Sequence, residues 1–311
     1  MRTLTFLMSL LLVSAAQADG GALARSFALP ALGQHQVNPP GKSRYTLELD
    51  LTNEYVSNTT PAEKILLDGE TARLALTYYG VLAPGWDWNT EIPAYVLGGG
   101  FMDRFIQGWH DVFGLPNGGR EFAPDDQYQF LYERPNGTVL LNATGSGTHF
   151  GDMSVGIGWQ ALPQIALRAQ VKLPTGEARD LTGGNTGGAF WADAALPFAD
   201  DSAWSGYASA GVSVNSRSGV LSALQEQTLY FGGGGLRYRL NETFSFYSDI
   251  SARSALYTGS ALDPLNGIGV PARFGLSYDI NPGYSLDLAF QEDLNPGASP
   301  DFGLRFALKA H

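Results

Sequence analysis

The feature that most restricts the fold is a two-residue alternation of apolar and polar side chains in short segments along the chain. It is clearest over residues 270–291, where two alternating runs flank the tight turn Asn281-Pro282-Gly283. A period of two puts the two sets of side chains on opposite faces of a β-strand, and Pro followed by Gly favours a chain reversal. The pattern therefore predicts an antiparallel hairpin. Its apolar residues are Val270, Ala272, Phe274, Leu276, Tyr278 and Ile280, then Tyr284, Leu286, Leu288 and Phe290.

The N-terminus has the features of a secretory signal peptide. Arg2 precedes the apolar run Leu4–Val13, and Ala16-Gln17-Ala18 is a small-x-small cleavage site. The apolar run is shorter than the roughly 20 residues that a transmembrane helix needs. We therefore predict export with a signal peptide over residues 1–18, cleaved after Ala18. The irregular residues 19–44 are predicted to form a periplasmic N-terminal segment.

The composition excludes several classes of protein. The chain has 0 Cys, so it has no disulfide framework, and its mean hydropathy of −0.08 argues against a bundle of membrane helices. Its net charge of −11 argues against nucleic-acid binding, which needs a basic surface. A charged fraction of only 16%, with 39 Gly and 12% aromatic residues in short alternating segments, is typical of a transmembrane barrel.

The order of the connections supports an all-β fold, a transmembrane antiparallel up-and-down β-barrel over residues 45–311. Mostly longer loops alternate with short turns, as in outer-membrane barrels whose short turns and termini are periplasmic. The short turns lie at Pro84, Pro135, Pro163, Asp200, Asn241 and Pro282. The prediction is 14 strands, or 12 if the weak hairpin 128–133 and 138–142 belongs to a loop. Either count is even, and closure would pair every backbone group in lipid.

One long loop, residues 98–126, contains a different period. Phe101, Phe105, Trp109 and Val112 recur at helical spacing, which predicts a short amphipathic helix over residues 101–113. Such a helix could act as a plug or lid of the lumen, or it could lie at the membrane surface. In the first case its polar residues would meet the solute as a gate. These residues are Arg104, Gln107, His110 and Asp111.

Charged residues in the strands fall opposite apolar ones. An Arg or Lys facing lipid at the midplane would cost about 2–4 kcal/mol, so these charges are predicted to line a wet interior. Inward charges could serve a conducting pore or could only pair and hold a closed barrel, and the sequence leaves both open. The predicted lumen-lining residues are Glu48, Asp50, Arg73, Asp87, Glu91, Arg168, Lys172, Arg237, Arg239, Arg273, Asp279 and Asp287.

No catalytic motif is apparent. Gly232–Gly235 lacks the Lys-Ser/Thr of a phosphate loop, and no His, Asp and Glu set has metal-ligand spacing, so no cofactor is predicted. A lipid-modifying enzyme of the outer membrane would need a Ser–His pair, and Ser146, His149 and Ser154 form the one close grouping. This enzyme remains the less favoured alternative, with Ser146 and His149 as its candidate residues.

Several stretches resemble a proteobacterial family of outer-membrane barrels, the domain-of-unknown-function family DUF3187. They are Asn38-Pro39, Leu67–Thr71 and Gly114–Arg120. Gly151-Asp152 and Lys172–Gly176 resemble elements shared more widely among barrels with proposed transport roles. The resemblance implies a barrel in the outer membrane but no chemistry. The chain departs from such barrels at its end, Leu308-Lys309-Ala310-His311, where an aromatic residue is usual.

These observations predict a passive channel or transporter for an unidentified small solute in the cell outer membrane. The expected partners are outer-membrane lipid, lipopolysaccharide and the barrel-assembly machinery. The alternatives are a structural barrel without conduction and the lipid-modifying enzyme.

Overall fold

The structure, a computed structural model, describes residues 16–17, 20–114, 119–134, 137–295 and 297–311. Twelve antiparallel strands form a closed up-and-down barrel, which confirms the predicted fold class. The strands are β1 (Arg44–Thr59), β2 (Lys64–Ala83), β3 (Trp86–Gly98), β4 (Ser154–Leu162), β5 (Ile165–Lys172), β6 (Gly187–Ala195), β7 (Trp204–Asn215), β8 (Thr228–Arg239), β9 (Phe244–Arg253), β10 (Pro271–Asn281), β11 (Tyr284–Asp293) and β12 (Phe302–Ala310).

Closure comes from pairing of the last strand with the first. Nine residue pairs join β12 to β1, from Phe302 opposite Asn53 to Ala310 opposite Tyr45. Each other strand pairs with its neighbours in sequence. β3 pairs with β4, although the long loop separates them in the chain. No strand of this ring has a free edge, so the sheet satisfies the hydrogen bonds of its own backbone groups. Closure thus stabilises a chain that has 0 Cys and no disulfides.

The sequence alternation appears as alternating exposure. In β12, Arg305 and Lys309 are each 6% exposed, whereas Phe306 and Leu308 between and beside them are 40% and 41% exposed. Polar side chains thus face a closed interior, and apolar side chains form the outer surface. Among the described residues no helix is long and apolar enough to cross a membrane.

The predicted weak hairpin belongs to the long loop, so the count of 12 is the right one. Its strands are Gln129–Arg134 and Thr138–Ala143; residues 135 and 136 of its predicted turn lie outside the described residues. The hairpin pairs with the beginning of β2, over residues 64–68, beyond the point where β3 ends. A further strand, Gly147–Phe150, pairs with the end of β3.

The sequence predicts a loop over residues 58–70 after the first strand, but most of these residues belong to β1 and β2. β1 continues to Thr59 and β2 begins at Lys64, with the pairing unbroken from Arg44 opposite Tyr79 to Thr59 opposite Lys64. The extension is stable because Ile65 and Leu67 on its inner face are buried with Phe130 and Tyr132 of the accessory hairpin.

Two α-helices of the described residues lie in loops. The predicted helix of the long loop is α1, Asp103–Phe113, and it ends at Gly114 in the left-handed conformation (φ 67°). The second, α2 (Asp263–Asn266), is a single turn between β9 and β10. Short 3-10 turns cover Ala22–Ser26, Arg120–Phe122 and Ala178–Asp180.

The N-terminal segment, defined here as residues 20–41, runs inside the barrel. Near Gly20 it lies beside Thr52 and Glu54, in the half that carries the long loops. It then descends towards the short turns and joins β1 at Arg44. This position differs from the predicted periplasmic segment of residues 19–44. Its physical reason is that the polar inner wall offers partners for the backbone groups outside the short antiparallel pairing of Ala31–Leu32 with Ala16–Gln17.

Candidate channel lumen

Side chains of the wall hold the lower half of the N-terminal segment by its backbone. The Asp193 carboxylate accepts a hydrogen bond from Gly33 N at 2.9 Å, and the Asp87 carboxylate accepts one from Asn38 N at 3.1 Å. Arg168 donates to the carbonyls of Gln34 (2.9 Å) and Gln36 (3.1 Å). These contacts are polar and come from separate strands, so each one can exchange with water without unfolding the barrel.

The upper half of the segment is held differently. The Glu54 carboxylate accepts from Ala22 N (3.0 and 3.1 Å), and the Asn215 amide oxygen accepts from Ala28 N at 2.7 Å. Leu23 and Phe27 belong to a buried apolar cluster with residues of the inner wall and of the long loops. The loop and wall members include Leu181, Leu221, Leu224, Leu229, Phe231, Tyr257, Leu262 and Leu265. This cluster fills the end of the barrel that carries the long loops.

Gly33 marks the closest approach of the segment to the wall. Its φ is +93°, a conformation that favours glycine, and a Cβ there would lie 2.8 Å from Cζ of Tyr207. The Tyr207 hydroxyl donates to Asp249 at 3.0 Å, so the ring is fixed from its far side. The segment therefore fits this part of the lumen only with glycine at residue 33.

The predicted lumen-lining residues occupy the inner face in different ways. Eight are buried: Glu48, Arg73, Asp87, Arg168, Lys172, Arg237, Arg273 and Asp287. Asp50, Glu91 and Arg239 are partly buried, and Asp279 is exposed at the end of β10. The structure brings most of them into networks rather than into one site.

The largest network surrounds Arg73 on the inner face of β2. Its guanidinium binds Glu48 (2.8 Å), Asp50 (2.9 Å) and Glu91 (2.6 Å). Arg305 of β12 also donates to Glu48. Ion pairs thus cross-link β1, β2, β3 and β12, which is the pairing role that the sequence left open beside conduction.

A second network lies on β3, β5 and β6. Arg168 binds Asp87 at 3.1 Å and lies 3.6 Å from Asp193, the two carboxylates that also hold the N-terminal segment. On the opposite wall Lys309 binds Asp287 at 2.6 Å, and Arg273 donates to Gln291 at 3.2 Å. Two nitrogens of the buried Arg237 side chain have no hydrogen-bond partner among the described residues.

The motifs Gly151-Asp152 and Lys172–Gly176 meet at the base of one loop. Asp152 accepts hydrogen bonds from Gly176 N (2.8 Å) and Gly184 N (2.9 Å), and Lys172 binds the same carboxylate. Thr175 donates through its hydroxyl to the carbonyl of Gly151 at 2.8 Å. Their resemblance to other barrels therefore has a structural basis, which is a fixed loop between β5 and β6.

Little open space remains between the segment and the wall. Three cavities of about 60, 20 and 60 Å³ lie there, and Arg73 lines all of them. Since one water occupies about 10–15 Å³ on this measure, each holds a few waters at most. With the segment in place, none of these three cavities holds a larger solute.

Further charged residues of the inner face lie outside the predicted lumen-lining set. Arg305 and Lys309 fall opposite Phe306 and Leu308 in the same alternation, so the period alone could have identified them. Asp193 is also on an inner face, but its role in holding the segment has no sequence signal. The N-terminal segment itself lacks any period that would predict its place.

Helix α1 lies against the outer wall, not in the lumen. Met102 and Ile106 pack on Phe302, whose position in β12 is on the outward face with Leu304 and Phe306. The predicted plug or lid is therefore not what the described residues form. The membrane-surface alternative agrees with the geometry, because the lumen is polar and already filled, whereas the outer wall offers an apolar surface.

The four predicted gate residues accordingly lie outside the lumen. Arg104 is exposed and binds Asp125 at 2.9 Å, and Gln107 reaches the same carboxylate at 3.5 Å. The His110 side chain is buried, and that of Asp111 is exposed.

Buried polar contacts fix the start of this helix to the barrel. Asp103 accepts hydrogen bonds from Asn53 (3.0 Å) and Arg120 (2.6 Å), and Arg120 also binds Asp301 at 3.1 Å. The Glu70 carboxylate accepts from Phe101 N at 2.9 Å. Burial raises the pKa of Asp301 to about 6, although Arg120 opposes the rise.

The grouping considered for an enzyme does not form a nucleophile–base pair. His149 Nδ1 lies 3.2 Å from Asp180, but no hydrogen bond joins His149 to Ser146 or Ser154 among the described residues. Within the same described ranges no three His, Cys, Asp or Glu side chains form a group that could hold a metal ion.

Comparison with known proteins identifies a family and a fold. A family model described as "Protein of unknown function (DUF3187)" matches residues 16–311. No curated protein sequence matches the chain. The COG4313 outer-membrane channel from Pseudomonas putida F1 is similar in structure, with a TM-score of 0.57 and 11% identity over 89% of this chain and 98% of that one.

Two other solved barrels are more distant. The NanC porin has a TM-score of 0.47 and 9% identity over 85% of this chain and 97% of its own. The toluene transporter TbuX from Ralstonia pickettii has a TM-score of 0.42 and 10% identity over 95% of this chain and 99% of its own.

Proposed function

Because this chain belongs to the DUF3187 family and folds as a barrel with a polar, filled lumen, we propose that it is an outer-membrane channel for small solutes. The N-terminal segment, and not helix α1, closes the channel. The observation that carries the proposal is the way the segment is held: side chains of the inner wall bind its backbone at Gly33 and Asn38. The fold likeness to the COG4313 channel supports the location and the class of function.

Opening of the channel requires the segment to leave its position, because the cavities between the segment and the wall are too small for a solute. Its hydrogen bonds to Asp87 and Asp193 contribute about 1.5–3 kcal/mol each at most, the range for bonds to charged groups. The carboxylates and Arg168 can bind each other and water when the segment leaves. The whole segment can thus leave the lumen while the ring of strands stays intact.

A disulfide tether tests this proposal directly, since the chain has 0 Cys. A Cβ at Gly187 would lie 3.0 Å from Cβ of Ala28, near the roughly 3.5–4.5 Å of natural disulfides, and the Asn215 side chain, 2.5 Å from this Cβ, would have to shift. The variant Ala28→Cys/Gly187→Cys would fix the segment to β6 when oxidised. In planar bilayers we expect discrete conductance from the reduced variant and silence from the oxidised one.

The control is Ala28→Cys alone, whose conductance should not respond to oxidant or reductant. Equal conductance of the oxidised and reduced double variants would refute closure by the segment. Silence of the wild-type and reduced proteins alike would favour the structural barrel. Silence together with phospholipid turnover that is lost in His149→Ala would favour the enzyme.

Orientation in the membrane is part of the proposal. We infer that the short turns and the C-terminus are periplasmic and that the long loops face outwards, after removal of the signal peptide at Ala18. A thiol label applied to intact cells should reach Ala223→Cys in a long loop but not Asn281→Cys in a short turn. Labelling of Asn281→Cys from outside would invert this topology.

A further inference from the structure

Helix α1 has three distinct faces. At about 100° per residue, Met102 and Ile106 fall on one side, and both are buried against the outer wall at Phe302. The side chains of Arg104 and Asp111 fall on the opposite side and are exposed, as expected for a face in water.

The third face is apolar and mostly exposed. Phe101 lies two residues before the helix, and Phe105 and Val112 fall within about 20° of each other on it. They are 73%, 51% and 78% exposed, although large apolar side chains of this kind are usually buried. Phe122, which follows in the same loop, is 88% exposed.

This stripe continues the outer surface of the barrel. The Phe105 ring lies 5.8 Å from that of Phe302, and Trp109 lies 5.9 Å from Phe290. Phe290 and Phe302 are on the outward faces of β11 and β12, in line with the exposed Leu288, Phe306 and Leu308. The stripe and the outer wall therefore form one contiguous apolar surface.

The orientation of the helix is fixed rather than accidental. Its first turn is bound to the wall through Glu70 and through the buried pair of Asp103 with Arg120. Arg120 is in turn bound to Asp301 at the start of β12. A helix held in this way presents the same apolar stripe and the same polar side at all times.

We propose that α1 lies in the outer-leaflet boundary of the membrane, with its apolar stripe against lipid acyl chains and its polar side in water. The occupant follows from continuity: the surface that the stripe extends is the lipid-facing wall of the barrel. Amphipathic helices at membrane interfaces divide their faces in the same way. This inference depends on the barrel fold and does not require the channel to conduct.

Spin labels at two neighbouring residues provide the test. The labels are attached at Val112→Cys and Asp111→Cys. Both residues are exposed, so neither substitution removes a buried contact. Each labelled variant is reconstituted in phosphatidylcholine vesicles, and collision with oxygen, which concentrates in lipid, is compared with collision with a water-soluble nickel chelate. We expect the label at residue 112 to favour oxygen several-fold over nickel, and the label at residue 111 to show the reverse.

Two results would overturn the proposal. One is equal, high nickel accessibility at both residues, which would place the whole helix in water. The other is a label at residue 112 that neither reagent reaches in native outer membranes but that oxygen reaches in vesicles. That result would show that a protein partner, not lipid, covers the stripe.

Discussion

Replacement of Gly33 by alanine should open the proposed channel. The residue has φ +93°, and an added Cβ would lie 2.8–2.9 Å from three ring carbons of Tyr207. The left-handed backbone costs a non-glycine residue about 1–2 kcal/mol. Forcing a methyl group against the fixed ring costs about 1–3 kcal/mol more. Both costs fall on the closed position of the segment and not on the open one.

Gly41 provides a matched control. It also has a positive φ, +76°, but nothing lies within 4 Å of an added Cβ. Gly41→Ala therefore carries the backbone cost without the contact with Tyr207. The difference of about 1–3 kcal/mol between the two variants corresponds to roughly 5- to 150-fold in the ratio of open to closed channels.

The assay is single-channel recording, with the gel shift of the folded barrel on heating as a check that each variant is assembled. We expect a higher open probability for Gly33→Ala than for Gly41→Ala, and an unchanged gel shift for both. If both variants assemble and their open probabilities are equal, the fit of Gly33 against Tyr207 does not keep the lumen closed.

Three other changes test separate parts of the structure. Arg73→Met leaves three carboxylates without their shared partner and should lower the free energy of unfolding by about 3–5 kcal/mol in urea titrations, whereas the exposed Arg104→Met should leave it unchanged. Asp152→Asn weakens the base of its loop, so limited proteolysis there should become several-fold faster without loss of the barrel. Burial raises the pKa of Asp301 to about 6, above the value of about 3.9 in the unfolded chain. The protonated carboxyl therefore stabilises the fold fully when the pH is below 3.9, and this contribution is lost as the pH rises through 6. A spin label at Glu121→Cys should therefore become more mobile from pH 5 to pH 7.5, and Asp301→Asn should remove that change; a label whose mobility rises equally in both proteins would contradict this assignment.

The sequence predicted the barrel because lipid imposes a simple rule on each strand. An apolar outer face and a polar inner face repeat every two residues, so strands such as β10 and β11 are visible without any tertiary information. The rule failed between residues 58 and 70. There β1 and β2 continue beyond the other strands, and Ile65 and Leu67 on their inner face are buried against residues of the long loop. These partners are distant in sequence, so the local pattern of apolar residues does not reveal them.

The lumen could be predicted only as a set of inward charges. Which of them pair depends on strand neighbours such as β12 and β1, whose residues Arg305 and Glu48 are at opposite ends of the chain. The N-terminal segment was missed because its backbone binds distant wall side chains and needs no period of its own. Helix α1 was predicted as an element, but its apolar stripe fits either a lumen or an outer wall. Only the contacts with Phe290 and Phe302 distinguish them.

The most direct test of the account is whether the N-terminal segment occupies the lumen in living cells. Ala28→Cys/Gly187→Cys should form an intramolecular disulfide in the intact outer membrane, because the two Cβ positions lie 3.0 Å apart. Ala28→Cys paired with Ser277→Cys, on another strand of the inner face, serves as the control and should stay reduced. A disulfide in the first pair alone, measured by mass spectrometry, is the predicted result. Two free thiols in the first pair, both open to a small periplasmic reagent, would contradict the account.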